Sequence, residues 1–254
     1  MPMTPAQSKA SSVLDFTGKS VLVVGGSSGI GNGIAQAFRA RGGAVHVWGT
    51  RASADDYAGD DGSDLAGLGY SQVDVSDPDA IAAATSPFER LDVLIQSQGA
   101  VIYRRQEFQR AGWDKVMAIN LDSVLHIATR FHPELKAARG AIVVASSVAA
   151  FRATIGNPAY AASKAGLIGL VKTLAQAWAP DGIRVNAFAP SLVDTKLTKV
   201  TMADPRRRDA ALKKIPAGRF GDLDDMAGVA LFLASPMSAY VYGQTLLVDG
   251  GLTL

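Results

Sequence analysis

The chain has 254 residues, 48% of them hydrophobic, and its 25 lysines and arginines nearly offset 23 aspartates and glutamates to leave a formal charge of +2. That is enough apolar material for one large α/β core, with no global charge to argue for nucleic acid or an anionic membrane as partner. Cysteine is absent, which excludes disulfides, thiolate metal sites and thiol catalysis and agrees with a reducing compartment.

No run reaches the roughly 18 apolar residues of a membrane span, and the stretch from Met1 to Thr17 is polar with no apolar signal core, so the cytoplasm is the expected location. Residues 1–15 read as a flexible N-terminal tail and 16–254 as a single dinucleotide-binding and catalytic domain. From Lys19 onward, short β-branched runs alternate with Ala- and Leu-rich stretches of helical period, the pattern of repeated βαβ units. Strands are expected at Ser20–Val24, Ala44–Trp48, Tyr70–Val73, Asp92–Ser97, Ala141–Ala145, Arg184–Phe188 and Thr245–Val248. Continuous apolar strands such as Ile142-Val143-Val144 imply burial on both faces. The fold class is therefore α/β, a doubly wound seven-stranded parallel sheet flanked by helices, with ligands beyond the carboxyl ends of the strands. Arg51–Leu68 and Asp194–Phe220 read as loops, the second as a candidate lid.

Directly after the first strand comes Gly25-Gly26-Ser27-Ser28-Gly29-Ile30-Gly31, followed by an amphipathic helix through Ile34, Ala35, Ala37 and Phe38. Glycines there allow a tight turn and close approach of the backbone to a pyrophosphate, whose charge meets the free N–H groups of the helix start. A dinucleotide fold commonly carries an acid at the end of its second strand to bind the ribose hydroxyls. Here that strand runs into Gly49-Thr50-Arg51. Thr50 and Arg51 offer a hydroxyl and a guanidinium to a ribose phosphate, which favours NADP over NAD. A solvated loop arginine is the plainer alternative.

Tyr160-Ala161-Ala162-Ser163-Lys164 sets a phenol and an ammonium one helical turn apart. A phenol near pKa 10 is a poor base at neutral pH, and an adjacent ammonium favours the phenolate. Ser147 lies at the end of the fifth strand, where its hydroxyl would orient a carbonyl oxygen. Taken singly, these are common surface and capping residues; in order behind a glycine loop they point to proton transfer beside a dinucleotide.

From about Phe16 onward the sequence resembles the classical short-chain dehydrogenase/reductases, and within them the 3-oxoacyl-carrier-protein-reductase-like members, which have a Rossmann fold. The resemblance rests on Gly25, Gly29 and Gly31 and on Ser147, Tyr160 and Lys164. It implies a fourth catalytic member at Asn120, holding a water that links the lysine to solvent. It also implies adenine contacts at Asp74 and Val75, nicotinamide contacts at Pro190, Val193 and Thr195, and a homotetramer. Three features depart from the pattern. Asn-Asn-Ala-Gly after the fourth strand is Gln96-Ser97-Gln98-Gly99, where Gly99 alone keeps the close approach; Pro-Gly after the sixth strand is Pro190-Ser191; and the helix between Asp74 and Asp92 is short.

The expected reaction is hydride transfer between NADP or NAD and a ketone or secondary alcohol, with Tyr160 as general acid and base. An NAD-linked sugar or polyol dehydrogenase is the alternative within enzymes, and a non-catalytic dinucleotide-binding regulator the alternative outside them. Val148, Ala149, Ala150, Phe151 and Ile155 offer apolar surface for a substrate or for loop packing. Lys196, Lys199, Arg206, Arg207, Arg208, Lys213 and Lys214 form a basic stretch that reads as a solvated face, with an acidic substrate or acyl carrier protein as the alternative. His126 and His132 lack companions at ligand spacing, and no metal site is expected.

Overall fold

The structure is a computed structural model that describes residues 14–254; residues 1–13, most of the expected tail, lie outside the described residues. Seven strands are formed: β1 (Ser20–Val24), β2 (Ala44–Gly49), β3 (Gly69–Gln72), β4 (Val93–Gln96), β5 (Ala141–Ala145), β6 (Arg184–Pro190) and β7 (Thr245–Val248). They pair in parallel in the order β3-β2-β1-β4-β5-β6-β7. β1, β5 and β7 match the expected spans to the residue. β6 runs two residues further, through Pro190, which ends the strand because it has no N–H to donate.

Every residue of β1, β4 and β5 is buried, whereas the edge strands β3 and β7 are only partly covered. Alternate side chains of the central strands divide between two cores. Leu22, Val24, Leu94, Ile142 and Val144 pack on Val124, Ile127, Leu167 and Val171 of α4 (Ser123–Arg130) and α6 (Pro158–Trp178). Val21, Val23, Ile95 and Val143 pack on Ile34, Phe38, Met226 and Leu231 of α1 (Gly29–Arg39) and α9 (Leu223–Ala234). Each fully buried Val, Leu or Ile contributes about 1.5–3 kcal/mol. The order of the strands reverses between β1 and β4, and the crevice at that switch point holds the site.

Two connections position the cleft. The β2–β3 crossover has no α-helix, only the 3-10 turn Asp55–Tyr57, so its backbone groups are satisfied by side chains instead. Asn32 donates to the Asp64 carbonyl (2.7 Å) and accepts from its N–H (2.9 Å), Gln36 donates to the same carbonyl (2.8 Å), and the Tyr57 hydroxyl accepts from the N–H groups of Thr50 (3.1 Å) and Arg51 (3.2 Å). This segment is a loop, as expected. The stretch 194–220 differs from its loop reading: it contains a 3-10 turn at Lys196–Thr198, then α7 (Lys199–Met202) and α8 (Pro205–Leu212). The Asp204-Pro205 pair starts α8, with Asp204 accepting from the N–H groups of Arg206 and Arg207 and proline at the first helical position.

The helix between Asp74 and Asp92, α2 (Pro78–Ala83), is short as read, six residues capped by Asp77. The remaining helices are α3 (Arg110–Met117), α4, and α5 (His132–Ala138). No helix of the described residues is long and apolar enough to cross a membrane.

Candidate functional site

A cleft of about 690 Å³ opens at the carboxyl ends of the strands, within the range of cofactor and small-molecule sites. Its floor is the glycine loop. Gly25 takes φ +74°, and a Cβ there would come within 2.7 Å of the Gln98 nitrogen; at Gly31 a Cβ would overlap the Gly25 carbonyl. Only glycine leaves the backbone this open where α1 begins, the end of a helix that favours an anion. Ser27, Ser28, Gly29 and Ile30 complete that floor. Thr195 stands above it, its methyl 3.4 Å from the position of a Gly29 Cβ, and Pro190 and Val193 line the same wall. Thr50, Asp74 and Val75 line the far end with the buried Trp48. Ser76 donates to Asp74 through both hydroxyl and N–H, which holds that carboxyl below the usual carboxylate range.

Arg51 is placed differently from expectation. It does not line the cleft; its guanidinium turns back into its own loop, onto Asp60 at 2.7 Å, onto the Asp56 carbonyl, and over the Tyr57 ring with its carbon 4.4 Å from the centroid. An anion inside the loop has captured it.

The other end gathers Ser147, Tyr160 and Lys164 from two elements. Ser147 follows β5 and caps the 3-10 turn Val148–Ala150, accepting from the Ala149 N–H at 3.1 Å. Tyr160 and Lys164 share a face of α6, with the ammonium 5.9 Å from the ring centroid. Lys164 is 4% exposed and donates to the Ala145 carbonyl at 2.9 Å. Burial in that apolar site lowers its pKa to about 8. Tyr160 is shifted the other way from the sequence expectation. Desolvation raises its pKa, the Ser147 hydroxyl beside it works to lower it, and Tyr103 and Glu107 push it further up. The Lys164 ammonium points to the Ala145 carbonyl and is not among the groups that shift the phenol, where burial is the largest influence.

Asn120 is fully buried in a single π-helical turn, Ala118–Asp122, between α3 and α4. Its side chain accepts from the Ala100 N–H at 2.8 Å and donates to the Ala100 carbonyl at 3.0 Å and the Ser163 hydroxyl at 3.2 Å. It thus ties the segment after β4 to α6 and sits behind the cleft wall; Gly99 lies between it and the lysine, the site of its Cβ 3.6 Å from Lys164 Nζ. The unusual glutamines face inward: Gln96 donates to the Val124 carbonyl (3.1 Å) and Gln98 to the Ser123 hydroxyl (3.0 Å), fastening the end of β4 to α4. At Pro190-Ser191 no left-handed backbone is needed: among the described residues the non-glycine positions with positive φ are Arg104, Arg105 and Arg139.

Two features escaped the sequence reading. Glu107, 0% exposed, accepts from the N–H of Ile102 (2.9 Å), the Asn157 amide (3.1 Å) and the Tyr160 N–H (2.9 Å). It caps the first turn of α6 from 53 residues away in sequence, and no local pattern announces it. Tyr103 reaches across the cleft to donate to the Leu197 carbonyl at 2.6 Å, so the 100–105 segment meets the 194–220 stretch over the end of the cleft that holds Tyr160.

The donor set fits a dinucleotide. The glycine cradle is one that methyl groups would fill, and the buried Gln98 Oε1 and Trp48 Nε1 on the cleft wall have no hydrogen-bond partner among the described residues. Elsewhere, His132 is paired with Asp181 at 2.9 Å, and the basic stretch of α8 is exposed, consistent with a solvated face.

Residues 24–253 match the family model described as Enoyl-(Acyl carrier protein) reductase. The chain is 38% identical over 245 residues to a 3-oxoacyl-(acyl-carrier-protein) reductase of Chlamydia muridarum, covering 92% of this chain and 97% of that protein. It is 39% identical over 243 residues to the 2-dehydro-3-deoxy-D-gluconate 5-dehydrogenase of Bacillus subtilis, covering 92% and 94%. Among solved structures, a gluconate 5-dehydrogenase of Burkholderia cenocepacia in complex with NADP and tartrate superposes with a TM-score of 0.87 at 30% identity, covering 96% of this chain and 98% of that one.

Proposed function

The chain belongs to the short-chain dehydrogenase/reductase family and is an NAD(P)-linked oxidoreductase, and on that premise we propose that it interconverts a ketone and a secondary alcohol with NADP, using Tyr160 as general acid and base. The observation that carries this reading is the convergence of Ser147, Tyr160 and Lys164 on the cleft whose floor is the glycine loop. The curated relatives are named for the carbonyl–alcohol couple, and neighbouring structures hold NADP.

When bound, the nicotinamide supplies or accepts the hydride. In reduction, Tyr160 donates its proton to the carbonyl oxygen, and Ser147 donates a hydrogen bond to that oxygen as charge develops on it. The buried Lys164, held at the Ala145 carbonyl, is placed to meet the cofactor's ribose and to return a proton toward the tyrosine. Asn120 keeps Ala100 and α6 in register, so the substrate-side segment and the tyrosine stay aligned. Gly25 to Gly31 cradle the pyrophosphate, Asp74 and Val75 take the adenine, Gly99 admits the ribose, and Pro190, Val193 and Thr195 take the nicotinamide end. Thr50 and Arg51 would meet the ribose phosphate where it takes the place of the Asp60 carboxylate on the guanidinium. Tyr160→Phe is expected to keep NADP binding within about twofold while lowering turnover by at least the ~10²–10⁴ of general acid–base help; retained turnover sinks the reading.

A second reading concerns the substrate. Of the basic side chains on the cleft, Lys164 is buried at its carbonyl and Lys196 is paired with Asp60. Arg152 has only a 3.4 Å contact to the Leu252 carbonyl and no acidic partner among the described residues, which favours a hydroxy or keto acid over a neutral ketone. A panel of neutral and carboxylate substrates with Arg152→Ala separates the two.

Residues 16–254 would act as one dinucleotide-binding and catalytic domain, in the cytoplasm. Exposed Trp113 on α3 and Leu125 on α4, and exposed Leu247 on the edge strand β7, supply two separate apolar faces and support a homotetramer, which sedimentation would test.

A further inference from the structure

Two loops flank the phosphate end of the cleft, and one carboxylate ties them together. Asp60, in the β2–β3 crossover, is 2.7 Å from the Arg51 guanidinium and 2.7 Å from the Lys196 ammonium. Arg51 directly follows Thr50 on the cleft wall, and Lys196, itself on the wall, follows Thr195 above Gly29. Two residues beyond Asp60, the Gly62 carbonyl accepts from the Gly29 N–H at 2.8 Å, so residues 60–62 lie directly upon the phosphate-binding loop.

We propose that Asp60 is a cofactor-selecting residue: its carboxylate occupies the cation pair Arg51 and Lys196 that a ribose 2′-phosphate would take, so a phosphorylated dinucleotide has to displace it and an unphosphorylated one does not. This rests on the reading that the cleft takes a nicotinamide dinucleotide. Two cations facing one carboxylate leave an excess positive charge, and a phosphate carrying about −1.5 to −2 with three acceptor oxygens matches that pair better than a carboxylate does. All three side chains are partly open to water, at 39%, 31% and 50% exposure, so the pairing is exchangeable. Lys196 and then Arg51 hold the Asp60 carboxyl below the usual carboxylate range, so it stays a competing anion at neutral pH. Arg51 keeps its place without Asp60, because the Tyr57 ring and the Asp56 carbonyl also hold it. The consequence is a cation site that accepts NADP and whose affinity for it is restrained by the chain's own acid.

The experiment measures Kd for NADP, NAD and 2′,5′-ADP by calorimetry on the full chain and on Asp60→Asn and Lys196→Gln, each checked by thermal melting. Asp60→Asn is expected to tighten NADP and 2′,5′-ADP by about threefold to tenfold and to leave NAD within about twofold, while Lys196→Gln weakens the phosphorylated ligands alone. Unchanged or weaker NADP binding by Asp60→Asn overturns the inference and leaves the oxidoreductase reading standing. Failure of the unaltered chain to bind either dinucleotide overturns both.

Discussion

The two ends of the cleft are held by different kinds of polar tie. At the catalytic end the ties are desolvated: Glu107, Asn120 and Ser163 are fully buried, and Lys164 nearly so. At the phosphate end Arg51, Asp60 and Lys196 meet in partly exposed pairs. A buried donor left without its partner costs about 1–3 kcal/mol, whereas an exposed ion pair contributes about 0.2–1 kcal/mol. The proposed chemistry is thus set in a frame that resists displacement, and on the proposal above the cofactor's distinguishing phosphate would meet one that yields.

Lys164→Met breaks the rigid end most severely. Turnover is expected to fall by at least about a hundredfold, as for loss of a group acting in proton transfer, in a steady-state assay. The same variant exposes the charge penalty. The folded pKa of Lys164, about 8, is below its ordinary 10.5, so between those values the unfolded chain binds more protons than the folded one, and the lysine's penalty is relieved as pH rises. The stability of the unaltered chain relative to Lys164→Met should therefore climb from pH 8 toward pH 10.5 in denaturant titrations; a flat difference would mean the lysine is not desolvated.

Glu107 comes next, and it separates positioning from mere packing. Glu107→Ala leaves the N–H groups of Ile102 and Tyr160 and the Asn157 amide unpaired, a loss of about 1–3 kcal/mol for each one that water cannot reach. Glu107→Gln keeps a carbonyl acceptor and removes the charge. Because that charge pushes the Tyr160 pKa up, the neutral variant should carry the acid limb of the oxidation pH–rate profile to lower pH, with kcat changed more than KM. A loss of stability with an unmoved profile would reduce Glu107 to a structural cap.

How legible these ends were in the sequence follows from the same contrast. Strand positions were readable because continuous apolar runs such as Val21–Val24 and Ile142–Val144 fit burial on two faces. The glycine loop was readable because its neighbours leave no room for a Cβ, and Tyr160 with Lys164 because helical spacing brings them together. Glu107 was not: its partners are 5, 50 and 53 residues away, and only the folded chain brings them to one carboxylate. The direction of the tyrosine shift was missed for a related reason, since spacing gives the proximity of Lys164 but not the burial that raises the phenol. Arg51 was read as a cation for a ribose phosphate, and the spacing gave no sign that Asp60, nine positions on, would engage it inside the loop. The 205–212 helix was hidden by its charge, although Asp204-Pro205 carried the start signal.

The middle of the range belongs to the crossover that carries Asp60. Asn32→Ala removes the amide that holds both polar groups of Asp64 and reaches the Gly26 carbonyl, so about 1–3 kcal/mol of stability should be lost and amide exchange should rise along 58–68 rather than in β5 or α6. Uniform exchange changes would show that the crossover is not an independent unit.

The smallest effect expected is that of Arg51→Ala. Lys196 stays to meet a phosphate, Asp60 already offsets one of the two cations, and the lost group is more than one third exposed, so NADP binding should weaken by less than about tenfold and NAD binding should not change. Raising salt should narrow the gap between the unaltered chain and the variant, because charges this open to water are screened within a Debye length of about 8–10 Å. A loss beyond a hundredfold, or one indifferent to salt, would place the phosphate end among the desolvated ties and erase the distinction between the two halves of the cleft.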